Sequence, residues 1–199
     1  ASLEETKRNN ISFRNLMLVL PHLTFQDGEV SLRVGKKTLN LFPLPGHSAD
    51  NLAILVEEDR VLFAGDTAMS LPYLVDGDVD DTVAFFKKIS KLGLENIVQG
   101  HGDIILRGEI ENYVKENLAY ISNIRKVVRK ANRRKYPQEV LDAATVESCG
   151  KSRGLIGGLA AELHRRNLRA LYRQMFGQLP VFTDEFDDDY EDDEFDEEE

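Results

Sequence analysis

The most informative part of the chain lies between residues 38 and 67, which read TLNLFPLPGHSADNLAILVEEDRVLFAGDT. Its first apolar stretch is followed by Pro45-Gly46-His47. Leu52 to Val56 and Val61 to Ala64 are short apolar runs on either side of a charged turn, which predicts a hairpin of buried strands. The second run is followed by Gly65-Asp66-Thr67. A histidine and an aspartate therefore each follow a predicted strand, directly after a glycine.

Two further segments extend this pattern in both directions. Val30 to Val34 and Thr38 to Phe42 alternate apolar and polar residues around Gly35-Lys36-Lys37, which predicts a β-hairpin. Downstream, Asn96 to Val98 predicts a short strand that leads into Gln99-Gly100-His101-Gly102-Asp103. A third potential metal-binding side chain, His101, thus follows a predicted strand, between two glycines.

The remaining segments have helical spacing. Asp80 to Leu92 predicts a helix with an acidic start, and Ile110 to Ala131 predicts a long amphipathic helix. Pro137 opens a short helix, and Leu155 to Met175 predicts another. The order of strands, helix, strand and then helices indicates an α/β fold, with the helical region starting at about residue 105.

The candidate metal ligands are His47, Asp66 and His101. Each follows a strand and lies beside a glycine, which permits tight turns and close backbone approach. Neutral imidazole and carboxylate are suitable ligands for zinc and similar ions, and a carboxylate can bridge two ions with its two oxygens. Taken singly, a Gly-His pair is more typical of a turn with a surface histidine, and Gly-Asp-Thr is also compatible with a plain turn or a helix cap. Their occurrence together, in this order, favours a site along one edge of a sheet.

This arrangement resembles the metallo-β-lactamase superfamily, the αββα metallohydrolases that include lactamases, glyoxalase II thioesterases and lactonases. The resemblance is close over residues 25–105, where the three motifs stand in the place of the family's third, fourth and fifth ligand motifs. It implies that His47 joins two upstream histidines on the first metal, and that His101 binds the second. Asp66 would bridge both metals and serve as the catalytic residue. An Asp at this position, rather than Cys, resembles the two-metal, glyoxalase II- and lactonase-like branches.

The family's signature His-x-His-x-Asp-His, which lies upstream of these motifs, has no counterpart in this sequence. His22 stands alone and is interpreted as a loop or partly buried histidine, and His164 in a predicted helix is interpreted in the same way. Either the chain is a piece of a longer protein that begins after the signature, or it is a member that has lost half of its site.

We favour the fragment because residues 1–24 have the polar, helix-like character of the segment that joins the signature to the next hairpin. The family's opening strands also lack a counterpart, although a degenerate member would need them for its core. We therefore expect a partial αββα fold, namely the second β-layer plus C-terminal helices. A complementing N-terminal segment would supply the missing ligands.

The resemblance also implies the chemistry. One or two zinc ions, with iron or manganese as alternatives, lower the pKa of bound water to about 7 and polarise a carbonyl group, so that hydroxide attacks an ester, thioester, lactone or amide. Thr67, next to Asp66, either hydrogen-bonds near the metal or caps a turn. Because three ligands are split between two subsites, we expect this chain alone to bind metal weakly and to turn over poorly.

The helical region carries an excess of positive charge. Residues 105–175 contain 15 Lys or Arg against 7 Asp or Glu, and seven of the basic residues fall between Arg125 and Lys135. By resemblance to glyoxalase-like members, this suggests a small, anionic substrate; the alternative is that these are solvated helix ends. We expect no nucleic-acid partner, because the basic stretch lacks interleaved aromatics. The 34 residues between Asp66 and His101 are also too few for the domain that the family's nucleases insert there.

The formal net charge of −10 belongs to the C-terminus. Residues 184–199 contain 13 Asp or Glu and no basic residue, whereas the other 183 residues carry 25 positive and 22 negative charges. Such a segment cannot bury enough surface to fold, so we predict a disordered acidic tail after a domain that spans residues 1–183. One hypothesis is that the tail lies back over the basic helices and competes with an anionic substrate.

The overall composition, 199 residues with 42% hydrophobic and 30% charged, is that of one soluble domain. No stretch is long and apolar enough for a membrane span, and we expect no membrane partner. The lone Cys149 excludes an intrachain disulfide and favours a reducing, cytoplasmic location. The alternative to a hydrolase is a non-catalytic interaction protein on a degenerate fold, whose helical part binds a partner; metal content distinguishes the two.

Overall fold

One mixed sheet organises the chain in the computed structural model, which describes residues 3–177. The six strands lie in the sheet in their chain order: β1 (Val30–Val34), β2 (Lys37–Pro43), β3 (Leu52–Val56), β4 (Val61–Met69), β5 (Asn96–His101) and β6 (Ile105–Leu106). Neighbouring strands are antiparallel except β4 and β5, which are parallel. A parallel pair needs a crossover connection, and helix α2 (Val79–Ile89) lies in that connection.

The other helices come before β1 or after β6 in the sequence. Helix α1 (Leu3–Asn9) and a 3-10 turn (Ile11–Phe13) precede β1. After β6 come α3 (Ile110–Asn132), α4 (Pro137–Asp142), a 3-10 turn (Ile156–Gly158) and α5 (Ala160–Phe176). No helix in residues 3–177 is long and apolar enough to cross a membrane.

One face of the sheet is packed against α2 and α3. Inward-facing strand residues and helix residues form a single buried cluster, which includes Phe42, Ala53, Leu62, Ile97, Phe85, Phe86, Ile121 and Ile124. Strand side chains alternate between the two faces, so alternate apolar positions of β2 to β5 contribute to this core. The predicted α/β architecture, a β-layer with C-terminal helices, is confirmed.

The opposite face of the sheet is apolar and only partly covered. The pairing register aligns Val30, Leu41, Ile54 and Phe63 in one cross-strand row and Leu32, Leu39, Val56 and Val61 in the next. We call these eight residues the open face. Leu32 is 41% exposed and Phe63 44% exposed. In a two-sheet fold such a face packs against another sheet, so residues 3–177 represent part of a sandwich.

Several element boundaries differ from the sequence predictions. Strand β5 continues beyond Val98, so that His101 is its last residue, and helix α2 ends at Ile89 instead of Leu92. Strand β4 continues beyond Ala64 to Met69, so that Asp66 lies within the strand rather than after it. The continuation is irregular, with register shifts against β5 on both sides of Gly65, and alternation alone does not reveal it. Helix α5 begins at Ala160 instead of Leu155, because Gly157 and Gly158 both have positive φ angles.

The domain boundary at residue 183 and the acidic tail over residues 184–199 lie outside the described residues. Both stay predictions from the sequence.

Candidate metal centre

The three side chains singled out in the sequence meet around Asp66. His47 Nε2 lies 3.9 Å from Asp66 Oδ2, and His101 Nε2 lies 3.6 Å from Asp66 Oδ1. Each carboxylate oxygen therefore faces a different imidazole ring. The three residues come from the β2–β3 loop, from β4 and from the last position of β5. Their side chains are 25%, 36% and 68% exposed in chain order, so the cluster lies at the surface.

Glycine allows the backbone to approach this cluster closely. A methyl group added at Gly100 would lie 1.7 Å from Asp66 Oδ1, so β5 passes the carboxylate at a distance that no side chain permits. A methyl group at Gly77 would lie 1.7 Å from the carbonyl oxygen of Gly46, directly before His47. These two glycines are therefore required by packing rather than by a turn conformation.

Two polar side chains fix the loop that carries His47. The Thr67 hydroxyl donates to the Leu44 carbonyl at 3.0 Å and accepts from the His47 backbone N–H at 3.4 Å. Asn51 Nδ2 donates to the carbonyl oxygens of Leu44 and Ala64, at 3.0 and 3.2 Å. Thr67 thus holds the backbone on both sides of the loop, which settles the choice left open by the sequence: it hydrogen-bonds near the candidate ligands and does not cap a turn.

The His47 ring is packed on one side and unsatisfied at one atom. Its centroid lies 4.9 Å from that of Tyr73, at an interplanar angle of 45°. His47 Nδ1 is buried and has no hydrogen-bond partner among the described residues. A hydrogen bond from Ser48 holds the pKa of the neighbouring Asp50 carboxyl below its ordinary value, and this carboxylate is exposed.

Helix α5 anchors the segment that carries Tyr73. Fully buried Asn167 donates through Nδ2 to the Pro72 carbonyl at 2.7 Å and accepts through Oδ1 from the Leu74 N–H at 2.9 Å. Seven residues further along the helix, Gln174 donates to the carbonyl oxygens of Leu74 and Gly77. We call these two residues the amide clamp. The clamp holds the backbone on both sides of Tyr73, and so sets the ring that packs on His47.

The remaining two histidines have other surroundings. His22 is exposed in the segment between the first 3-10 turn and β1. His164 is buried: its Nε2 donates to the Ala144 carbonyl at 3.1 Å, and its Nδ1 lies 3.0 Å from the Tyr120 hydroxyl. Because a carbonyl only accepts, Nε2 carries the proton and Tyr120 donates to Nδ1. Burial lowers the pKa of His164, and the interpretation of His164 as a structural residue is confirmed.

The donor atoms around Asp66 are of the types that bind divalent ions, but there are too few of them to complete a coordination shell. Each side of the carboxylate offers one oxygen and one imidazole nitrogen, whereas zinc takes four ligands. Within residues 3–177, no group of three or more His, Cys, Asp or Glu side chains is arranged to enclose an ion. The buried, unpartnered Nδ1 of His47 also lacks the acceptor that usually orients a metal-binding histidine. The chemistry of the three side chains therefore suits a divalent ion, but a complete site would need further donors.

The fold and these three side chains define an α/β protein with a His-Asp-His cluster at one edge of its sheet. A family model described as the metallo-β-lactamase superfamily matches residues 3–101, about half of the chain. The chain belongs to the metallo-β-lactamase superfamily, as its motifs indicated.

Several relatives that match the chain have names that describe them as lactamase-like. The chain is 29% identical over 108 residues to beta-lactamase-like protein 2 homolog of Caenorhabditis elegans, covering 53% of this chain and 37% of the relative. It is 26% identical over 157 residues to lactamase-like protein nscB of Aspergillus fumigatus, covering 78% and 42%. It is 32% identical over 84 residues to thioesterase pkgB of Emericella nidulans, covering 41% and 25%. The chain thus spans less than half the length of these relatives.

Among solved structures, the sec-alkylsulfatase Pisa1 from Pseudomonas sp. superposes with a TM-score of 0.60. The match has 15% sequence identity and covers 80% of this chain and 27% of that chain. It extends beyond residue 101 and supports the fold of the helical region as well as that of the sheet.

Sequence reasoning missed the residues that support the site. Asn51 lies inside a quoted motif, and its position after the loop was the available signal. Asn167 and Gln174 had none, because their hydrogen bonds join segments 93 to 100 residues apart. Tyr73 had none because its contact with His47 arises from tertiary packing.

Proposed function

We propose that this chain supplies part of the active site of a metal-dependent hydrolase, and that His47, Asp66 and His101 bind its metal ions. The observation that carries the proposal is the placement of the two Asp66 oxygens, each facing a different histidine nitrogen. A carboxylate in this position can share two ions, one on each side. Bound zinc would supply Lewis acidity and lower the pKa of water to about 7, which provides a nucleophile at neutral pH.

The chain's own residues orient these donors. Thr67 and Asn51 fix the backbone of the loop that carries His47, and Tyr73 limits the rotation of its ring. Gly100 leaves room for the Asp66 carboxylate beside β5. His101, the most exposed donor, lies where a substrate can approach from solvent.

We further propose that the missing donors come from an N-terminal segment with a His-x-His-x-Asp-His motif, on the same polypeptide or supplied in trans. Two observations support this proposal. Each side of Asp66 offers only two donor atoms, one carboxylate oxygen and one histidine nitrogen, and the open face of the sheet is apolar. One complementing segment would supply both the ligands and the cover.

The proposed substrate is a small molecule with an ester, thioester, lactone or amide bond. The printed name of the Emericella nidulans relative, a thioesterase, makes an acyl thioester the first compound class to test.

The test is a titration of the full chain with zinc, in which binding is measured by calorimetry. Asp66→Asn and Asp103→Asn form a matched pair of variants. Asp103 is also an exposed acidic residue, two positions after His101, and among the described residues the two histidines form ion pairs with Asp66 only. We expect measurable zinc binding by the wild type and by Asp103→Asn. Asp66→Asn should lower the zinc affinity by at least about tenfold. A loss of this size is already typical when a residue that only hydrogen-bonds to a metal ligand is mutated. A form that includes the signature motif should hydrolyse an acyl thioester and lose this activity with Asp66→Asn.

Equal zinc affinity of Asp66→Asn and the wild type would contradict the assignment of the site. If a form with the signature motif holds no metal, the hydrolase proposal is wrong, and the alternative of a non-catalytic interaction protein replaces it.

A further inference from the structure

The last two turns of α3 present a strongly basic surface. Five side chains line a cavity of about 470 Å³ there: Lys126, Arg129, Lys130, Arg133 and Arg134. They recur at intervals of three and four residues, which places them on one side of the helix end. All five are exposed. We call this surface the basic cleft.

The positive charge of the basic cleft exceeds the charge that would balance the helix dipole at the C-terminus of α3. The C-terminus of a helix carries about half a negative charge, which one cation balances. In the described part of the chain no acidic side chain lines the cleft. The neighbouring Arg125, in contrast, is paired with Asp80. The five cations repel one another across the cleft, so an anion bound among them would relieve this repulsion.

Helix α5 brings the chain to the edge of this cleft. The Tyr172 hydroxyl donates to Asn132 Oδ1 at 3.1 Å, at the end of α3. In the last turn of α5, Gln174 and Met175 line a second cavity of about 300 Å³ together with Asp78, Asp80, Arg125 and Arg129, so Arg129 faces acidic residues on this side of the cleft. Gly177, which follows this turn, therefore lies close to the basic cleft.

The acidic segment begins a short distance further on. Asp184 is seven residues after Gly177 and is the first of the 13 acidic residues in 184–199. Seven extended residues span roughly 23 Å, at about 3.3 Å per residue. The acidic segment can thus reach the cleft from its point of attachment.

We propose that residues 184–199 bind to the basic cleft of the same molecule. The cleft and the segment have opposite charge, and the tether gives the segment an effective concentration of the order of 1 mM at the cleft. Both surfaces are exposed to water, so their attraction weakens as salt shortens the range of electrostatic forces. The docked segment keeps other polyanions out of the cleft.

The experiment compares the full chain with a full-length variant in which all 13 acidic residues of 184–199 are replaced by Asn or Gln. Backbone amide chemical shifts report on the cleft. We expect the shifts of residues 126–134 to differ between the two proteins at low salt. Adding a peptide of residues 184–199 to the neutral variant should restore them. At about 0.5 M NaCl, where the screening length is only a few ångströms, the difference should disappear.

Charge reversal supplies a matched control. Lys130→Glu with Arg134→Glu should abolish peptide binding to the neutral variant. Lys87→Glu with Lys91→Glu, at the exposed end of α2, should leave it unchanged. Inorganic pyrophosphate, used as a probe, should bind the cleft about tenfold more tightly in the neutral variant than in the wild type.

Three results would overturn the proposal. The first is identical amide shifts in the wild type and the neutral variant, and the second is equal pyrophosphate affinity. The third is a dependence of the shift difference on protein concentration, which would show that the segment binds another molecule.

Discussion

At the scale of single residues, the site depends on the absence of a side chain at Gly100. The Asp66 carboxylate occupies the space that a side chain at this position would fill. Gly100 does not have a positive φ angle, so its conformation is open to alanine. The requirement for glycine therefore arises from the neighbouring carboxylate and not from the backbone.

Gly100→Ala should accordingly damage the site more than the fold. The added methyl group would lie 1.7 Å from Asp66 Oδ1 and must displace the carboxylate. We expect zinc affinity, measured by calorimetry, to fall by about tenfold or more, the range found when the groups that orient metal ligands are changed.

The matched control is Gly108→Ala, because a methyl group at Gly108 meets no atom within 4 Å. It should bind zinc as the wild type does. Unchanged affinity in Gly100→Ala would show that Asp66 does not need its observed position.

The sequence predicted the donors better than their supports. His47, Asp66 and His101 are each marked by a local glycine motif, so reading along the chain is enough to find them. The contact of Tyr73 with His47 and the hydrogen bonds of Asn167 depend on tertiary packing, which local patterns do not encode.

At the scale of elements, α5 connects the helical region to the site. Its amide clamp binds the backbone at Pro72, Leu74 and Gly77. Asn167 also donates to the Tyr120 hydroxyl oxygen at 3.2 Å, which joins the clamp to the hydrogen bonds of His164. Helix α5 is therefore connected through the segment that carries Tyr73 to the ring of His47.

Asn167→Asp keeps the size of the side chain and removes its donor. The carbonyl of Pro72 loses a hydrogen bond, and a carboxylate enters a site that is fully buried. We expect the free energy of unfolding, measured by urea denaturation, to fall by roughly 3 kcal/mol.

Asn132→Asp serves as the comparison, since Asn132 is exposed and uses only its oxygen, as acceptor from Tyr172. Its stability should change by less than about 0.5 kcal/mol, as for most surface substitutions. Equal losses in the two variants would contradict the role of the amide donor.

Element types were predictable from periodicity, and element limits were less so. The long helix α3 and both hairpins follow their apolar spacing closely. The extension of β4 to Met69 depends on pairing with β5, and β6 is a two-residue strand that no pattern marks.

At the scale of the whole molecule, both faces of the sheet are apolar over β1 to β4. One face is buried under α2 and α3, whereas the open face is partly exposed. Apolar surface of this extent is typical of a surface that another layer covers.

We therefore expect the chain to bind the neutral dye Nile red and to associate as its concentration rises. Leu32→Glu with Phe63→Glu, which places two charges on the open face, should reduce dye fluorescence and shift sedimentation towards the monomer.

Ser31→Glu with Arg33→Glu changes the other side of β1 and should alter neither measurement. Unchanged dye binding after the two substitutions on the open face would show that this face is already covered.

The parallel pairing of β4 with β5 has a consequence for the order of folding. Val61 pairs with Asn96, so these strands meet only after 34 residues of intervening chain, including α2, have closed into a loop. The two hairpins of β1 to β4, in contrast, join neighbouring segments and form early, because short loops cost less entropy to close. Asp66 and His101 therefore come together in a late step. Capture of a metal ion during refolding would report the completion of the sheet and not its beginning.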